Sequence, residues 1–173
     1  MRVIILAAGQ GLQLDGYNKL LIQDPLSGKN ILDKYLEAFA GMKITIVLGY
    51  RSINVMHKYP KLEYIYNRDW AVWNNSYSLS LAITEEPTFV ISGDLMIEPN
   101  LIKAMKDSGP NIVASRIRDS RTIGALNMKI ENNIISEVYE GKLRDINDPE
   151  AVGIYKITSS SILRSWKKKC IEN

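Results

Sequence analysis

Three short apolar runs, each ending in glycine, constrain this chain more than any other feature. Residues 2–6 read Arg-Val-Ile-Ile-Leu and stop at Ala7-Ala8-Gly9; residues 43–48 stop at Gly49, and residues 88–92 stop at Gly93-Asp94. A run that is apolar at consecutive positions has no face for water. As a strand it must be covered on both sides, as the central strands of a parallel sheet are. The stretches between these runs carry helical patterning. Residues 29–40 place Ile31, Leu32, Tyr35, Leu36 and Phe39 on one face, and Gly41 offers a stop. Residues 52–59 read as a short helix, 62–66 as a further strand, and 74–82 as a helix entered through polar residues. Residues 99–106 form another helix, with Pro99 where a missing N–H costs least.

Such alternation predicts an α/β fold: a Rossmann-like three-layer sandwich with a mostly parallel central sheet. Right-handed crossovers put the ligand site of such a sheet at the carboxyl ends of its strands, here Ala7–Gly11, Gly49-Tyr50 and Gly93-Asp94. The second half reads differently. Residues 112–115, 125–130, 134–138 and 152–157 are strand-like, Asn132-Asn133 offers a turn, and a last helix spans 159–169. This half predicts a small antiparallel subregion. With no repeat, linker or low-complexity stretch, residues 1–173 are expected to form a single domain, with halves of about 1–108 and 109–173.

Charge and composition exclude several classes. Twenty-two basic against 19 acidic side chains leave a net charge of only +3, too small for a nucleic-acid or membrane surface. Lys167-Lys168-Lys169 reads as the solvated end of the last helix. A single cysteine, Cys170, allows no disulfide framework, and a single histidine, His57, no multi-histidine metal site. No apolar run approaches the about 20 residues of a membrane span, and the N-terminal run is too short for a signal peptide. A cytoplasmic protein is expected.

The segment 6–14, Leu-Ala-Ala-Gly-Gln-Gly-Leu-Gln-Leu, carries the most chemistry, with Asn18-Lys19-Leu20-Leu21 after it. Small residues directly after a central strand let backbone N–H groups approach an anion, and a lysine downstream adds mobile positive charge. A dinucleotide fingerprint would need glycine at Leu14, and no Gly-Lys-Ser/Thr follows at the spacing of a Walker loop. An ordinary glycine turn remains the alternative.

This loop with its lysine resembles the L-A-A-G-x-G loop of the sugar-phosphate and phosphocholine nucleotidyltransferases. Further segments fall in the same order. Gly28-Lys29-Asn30-Ile31-Leu32 resembles the family's G-K-P-L/I-L, and Ile46-Val47-Leu48-Gly49-Tyr50 its V-V-x-G-Y. Asn67 and Asn74-Asn75-Ser76-Tyr77-Ser78-Leu79 are similar to the N…N-N-x-x-S-L element of cytidylyltransferases. Residues 90–94 resemble the strand whose last aspartate holds magnesium. Gly124 and Glu150-Ala151-Val152-Gly153-Ile154-Tyr155 resemble the acceptor-side pattern.

The resemblance implies a cytidylyltransferase-like enzyme joining an NTP, with CTP favoured, to a phosphorylated small molecule such as phosphocholine or a phosphonate, and releasing pyrophosphate. It implies Lys19 and Asp94 as catalytic residues and Mg²⁺ as cofactor on Asp94. The nucleotide would be bound by Leu6, Ala7, Ala8, Gly9, Gln10, Gly11, Asn74, Asn75 and Ser78. The acceptor would be bound by Gly124, Glu140, Glu150 and Tyr155. Asn74, Asn75 and Ser78 also suit plain helix capping. Tyr64, Tyr66, Trp70, Trp73 and Tyr77 suit packing first and a cage for a trimethylammonium group second.

Two departures stand out. Gln13 replaces the family's loop arginine, which grips the pyrophosphate; glutamine keeps a hydrogen bond but loses charge and fork geometry. Arg51, Arg116 and Arg118 are the candidate replacements. The family's second acidic metal ligand lies farther along than residue 173, leaving Asp145, Asp148 or a partner subunit as candidates. The alternatives are therefore a sugar-1-phosphate nucleotidyltransferase, a molybdopterin-type nucleotidyltransferase as a weaker third, and a degenerate, non-catalytic nucleotide-binding module. Homo-oligomerisation is left open; no nucleic-acid or membrane partner is expected.

Overall fold

A computed structural model of the protein describes residues 1–10, 17–118, 120–122 and 124–172. Gly11 and Gln13, singled out above, lie outside the described residues. The chain divides into two compact units, Met1–Ile112 with Lys156–Asn173, and Val113–Tyr155.

The first unit is built on four parallel strands, β1 (Arg2–Ala7), β2 (Lys43–Leu48), β3 (Glu63–Tyr66) and β4 (Thr88–Ser92), in the spatial order β3-β2-β1-β4. Ile5 pairs with Ile46 on one side and Ile91 on the other. Val3, Ile4, Ile5, Ile46, Val47, Phe89 and Ile91 have no exposed surface, as continuous apolar runs require. Among the described residues, five helices accompany the strands: α1 (Ile31–Ala38), α2 (Ser52–Lys58), α3 (Asn75–Ala82), α4 (Pro99–Asp107) and α5 (Ser160–Glu172). Helix α1 packs against α4, and α3 against α5, β1 and β2.

The connections through α1 and α2 step from β1 towards β3, whereas the one through α3 returns past β1 to β4. Right-handed crossovers put helices of opposite stepping direction on opposite faces, so the sheet is doubly wound. The described helices and strands thus give the expected mostly parallel α/β sandwich. Phe39 and Phe89 meet with ring centroids 5.3 Å apart, and each such buried side chain contributes about 1.5–3 kcal/mol.

Element ends follow local chemistry. Asn30 and Asp33 form a reciprocal capping box, so α1 starts at Ile31 rather than 29, and it ends before Phe39. Asn74 caps α3 by accepting from the N–H groups of Ser76 and Tyr77. At the other end of α4, the ammonium of buried Lys156 donates to the carbonyls of Met105 (2.7 Å), Lys106 (2.8 Å) and Ser108 (3.0 Å). A cation there satisfies orphan carbonyls and complements the helix dipole. Replacing it by methionine keeps the apolar stem and removes the donors. Lys156→Met is expected to cost about 1–3 kcal/mol, read as a lower urea midpoint at unchanged slope.

In the second unit, β6 (Leu126–Glu131) and β7 (Ile134–Glu140) form an antiparallel hairpin. Its turn residues Asn132 and Asn133 have φ of 52° and 62°, the left-handed pair that suits a tight hairpin and that asparagine tolerates. Strand β8 (Glu150–Ile157) pairs with β5 (Asn111–Arg116) and, antiparallel, with β6. Among the described residues, no helix is long and apolar enough to cross a membrane.

Candidate active site

The strand order reverses between β1 and β4, so the chain leaves these neighbours towards opposite faces and opens a crevice beyond their carboxyl ends. A cleft of about 90 Å³ lies there, lined by Leu6, Ala7, Gly9, Asn18, Lys19, Asn75, Ser92, Gly93 and Asp94. Its central contact joins residues far apart in sequence: the ammonium of Lys19 donates to Asp94 Oδ2 at 2.6 Å. Both side chains keep access to solvent, 35% for the lysine and 42% for the aspartate.

Lys19 opens a 3-10 turn (Lys19–Leu21) that periodicity alone does not predict. Asn18 caps it, its side-chain oxygen accepting the Leu20 N–H at 3.1 Å, while fully buried Leu20 anchors it. The Ile22 carbonyl then accepts the Ile31 N–H at 3.1 Å, tying the turn to the start of α1. The lysine is thus held on a fixed stem with a mobile end.

Asp94 is placed by contacts on both sides of it. The Gly93 N–H donates to the Leu6 carbonyl at 2.8 Å. The buried hydroxyl of Tyr35 accepts from the Leu95 N–H (3.0 Å) and lies within donating distance of the Ser92 (2.7 Å) and Leu95 (2.9 Å) carbonyls. Burial holds the Tyr35 phenol well above the ordinary tyrosine range, so it stays a donor at any working pH. Sequence patterning identifies Tyr35 as a core residue but gives no sign of this hydroxyl clamp, whose partners are 57 and 60 residues away.

Gly93 itself has no room for a side chain. A Cβ there would lie 2.7 Å from Ala7 Cβ and 2.8 Å from the Leu6 carbonyl oxygen. Both neighbours are backbone or attached directly to it, so neither can yield cheaply. Gly93→Ala is expected to destabilise the protein by about 1–3 kcal/mol and to displace Asp94 from Lys19. Chemical denaturation checks the first effect and a structure of the variant the second.

The other nucleotide-side candidates divide. Leu6, Ala7, Gly9 and Asn75 line the cleft with Lys19 and Asp94. Ala8 is buried and its carbonyl accepts the Tyr50 N–H at 2.9 Å; Gln10 is exposed outside the cleft lining. Asn74 caps α3, and Ser78 is buried, its hydroxyl accepting from Asn67 at 3.0 Å. Of the aromatics, Trp70 packs on Tyr50 with centroids 5.0 Å apart and Trp73 on Tyr77 at 5.7 Å, whereas Tyr66 is exposed. Arg51 lies over the Tyr50 ring, 5.4 Å from its centroid.

The acceptor-side candidates all belong to the second unit. Glu140 is exposed, with Oε1 3.8 Å from the point a Gly124 Cβ would occupy. Glu150 is nearly buried, and Oε2 accepts from Arg116 Nε at 2.9 Å. That hydrogen bond, opposed by burial, holds the Glu150 carboxyl below its usual range. Tyr155 is half-buried, and burial raises its phenol. Asp145 accepts from the Asn147 N–H, and the Asp148 carboxylate from the Tyr139 hydroxyl at 2.6 Å.

The doubly wound, mostly parallel α/β fold is shared with solved nucleotidyltransferase structures. CTP:phosphocholine cytidylyltransferase LicC from Streptococcus pneumoniae superposes with a TM-score of 0.70 at 21% identity, over 99% of this chain and 78% of that one. A Bacillus anthracis protein assigned as a glucose-1-phosphate thymidylyltransferase gives 0.70 at 20% identity, over 95% and 73%. The inositol-1-phosphate CTP transferase from T. maritima gives 0.68 at 17% identity, over 95% and 75%. No protein-family model and no curated protein sequence matches the chain.

Proposed function

We propose that this protein is a nucleotidyltransferase that joins an NTP, CTP by preference, to a phosphorylated small alcohol or a phosphonate and releases pyrophosphate. The observation that carries the reading is the 2.6 Å meeting of Lys19 and Asp94 in a cleft between the diverging ends of β1 and β4.

The backbone N–H groups of residues 7–11 receive the triphosphate, and Lys19 neutralises charge at the α-phosphate. The Lys19–Asp94 pair is partly exposed and worth only about 0–1 kcal/mol, so the lysine can turn from the carboxylate to a phosphate oxygen at little cost. An oxygen of the acceptor's phosphate attacks the α-phosphorus; that P–O bond forms as the bond to the β-phosphate oxygen breaks, and pyrophosphate leaves with the electron pair. The acceptor phosphate is already anionic at neutral pH, so no general base is needed, and positioning with charge neutralisation carries the rate.

Asp94 fits a magnesium ion that arrives with the nucleotide. Among the described residues no group of three His, Cys, Asp or Glu could hold a metal by itself, and Mg²⁺ commonly takes one or two carboxylates with the remaining places filled by phosphate oxygens and water. Bound to Asp94, it would supply charge stabilisation at the phosphate oxygens. Asn75 is the candidate for base or ribose, with Asn74 and Ser78 holding α3 in place beneath it. Gly124, Glu140, Glu150 and Tyr155 are the candidates for the acceptor.

A sugar 1-phosphate is the second acceptor class, favoured by the likeness to the Bacillus anthracis structure. Pyrophosphate release with Mg²⁺, measured for all four NTPs against phosphocholine, phosphoethanolamine, 2-aminoethylphosphonate, inositol phosphate and several sugar 1-phosphates, separates these readings. Release with one pair names the substrates. Nucleotide binding without release for any pair would favour a non-catalytic module.

A further inference from the structure

Arg116 pairs with the buried carboxylate of Glu150 in the second unit, and Arg121 is held by Asn127, the residue that pairs with Glu150 across β6 and β8. Arg116 ends β5, and Arg118 and Arg121 follow in the connection to β6. Glu150, 7% exposed, is held by Arg116, and the charges of Arg116, Arg118 and Arg121 all stabilise its anion. The segment 116–121 carries these three arginines against a single aspartate.

Arg121 is fixed along two edges of its fork. Nε donates to Asn127 Oδ1 and Nη2 to the Asp148 carbonyl, each at 2.8 Å. Asn127 is fully buried and is itself tied to the Gly141 carbonyl at 3.1 Å, so the guanidinium has a rigid seat. Its remaining nitrogen, Nη1, is buried and has no hydrogen-bond partner among the described residues. A charged donor withdrawn from water without an acceptor is unfavourable, and its presence points to an acceptor that binds there. Arg118 donates to the Ser120 hydroxyl at 3.2 Å. The Asp148 carboxylate is engaged by the Tyr139 hydroxyl.

We propose that Arg116, Arg118 and Arg121, preset by Glu150, Asn127 and the Asp148 carbonyl, form a binding site for a tetrahedral phosphate or phosphonate group. One guanidinium fork would suffice for a planar carboxylate. Several forks approaching from different directions suit an anion with three terminal oxygens and up to two charges. Glu150 thereby acquires a role different from contacting a cationic acceptor: it orients Arg116. Identifying the anion as the acceptor's own phosphate rests on the nucleotidyltransferase reading; the site itself does not.

The test uses the full chain, titrated calorimetrically with inorganic phosphate and with methylphosphonate. The wild type is compared with Arg118→Gln and Arg121→Gln, each checked for folding by circular dichroism. Both arginine variants are expected to weaken binding by about tenfold or more, as loss of a charge-assisted fork should. Should Arg121→Gln unfold, Arg118→Gln decides alone. No binding by the wild type, or undiminished binding by a folded arginine variant, would overturn the proposal. Phosphate binding that depends on the arginines, without nucleotidyl transfer to any acceptor, would retain the site and remove the catalytic reading.

Discussion

Asp94→Asn is expected to lower Mg²⁺-dependent turnover by about a thousandfold while leaving the fold intact. The side chain is 42% exposed and is paired with the similarly accessible Lys19, so removing the charge costs little stability. The rate loss has another origin. A carboxylate that places a divalent cation on the phosphate oxygens supplies several kcal/mol of transition-state stabilisation, and each 1.36 kcal/mol is about tenfold in rate. A control separates this from general damage. Without Mg²⁺, the variant should bind nucleotide at least as tightly as the wild type, because a negative charge has left the cleft and Lys19 is released. Wild-type turnover in the variant would remove the metal assignment.

Lys19→Ala is expected to reduce kcat by about 10²–10³-fold, the range found when one preorganised donor to a developing oxyanion is removed. Stability should change by less than about 1 kcal/mol, because Leu20 and the Asn18 cap, not the lysine, anchor the turn. The kinetic pattern matters as much as the size. An interaction that strengthens as charge builds at the α-phosphate lowers kcat and kcat/KM together. A rise in KM alone would make Lys19 a ground-state binding residue, and an unfolded variant would make it structural.

The strands of the first unit were legible because nothing else accommodates consecutive Val, Ile and Leu followed by glycine; residues 43–48 and 88–92 are the observed β2 and β4. Loop positions at the ends of β1 and β4 followed from those limits. That Lys19 and Asp94 meet did not, since 75 residues separate them and only the family resemblance joined them. Asn74 and Ser78 were legible by side-chain type, an amide and a hydroxyl that suit a nucleobase or a helix cap; that they also satisfy α3 N–H groups and a buried Asn67 is visible only in the fold. Glu150 was legible as a motif residue, but its partner Arg116 lies 34 positions away, beyond the reach of any local pattern. Tyr35 was legible as core and illegible as a clamp for the same reason.

The central claim is transfer of a nucleotidyl group at the Lys19–Asp94 cleft. Its most direct test follows the α-phosphate of labelled CTP, with Mg²⁺ and a pooled set of phosphorylated alcohols and phosphonates, in the wild type and in Asp94→Asn. The expected result is label in a CDP-conjugate, with equimolar pyrophosphate, from the wild type and a loss of about a thousandfold in the variant. Label that stays in CTP despite nucleotide binding, or that moves equally well with both proteins, would contradict it.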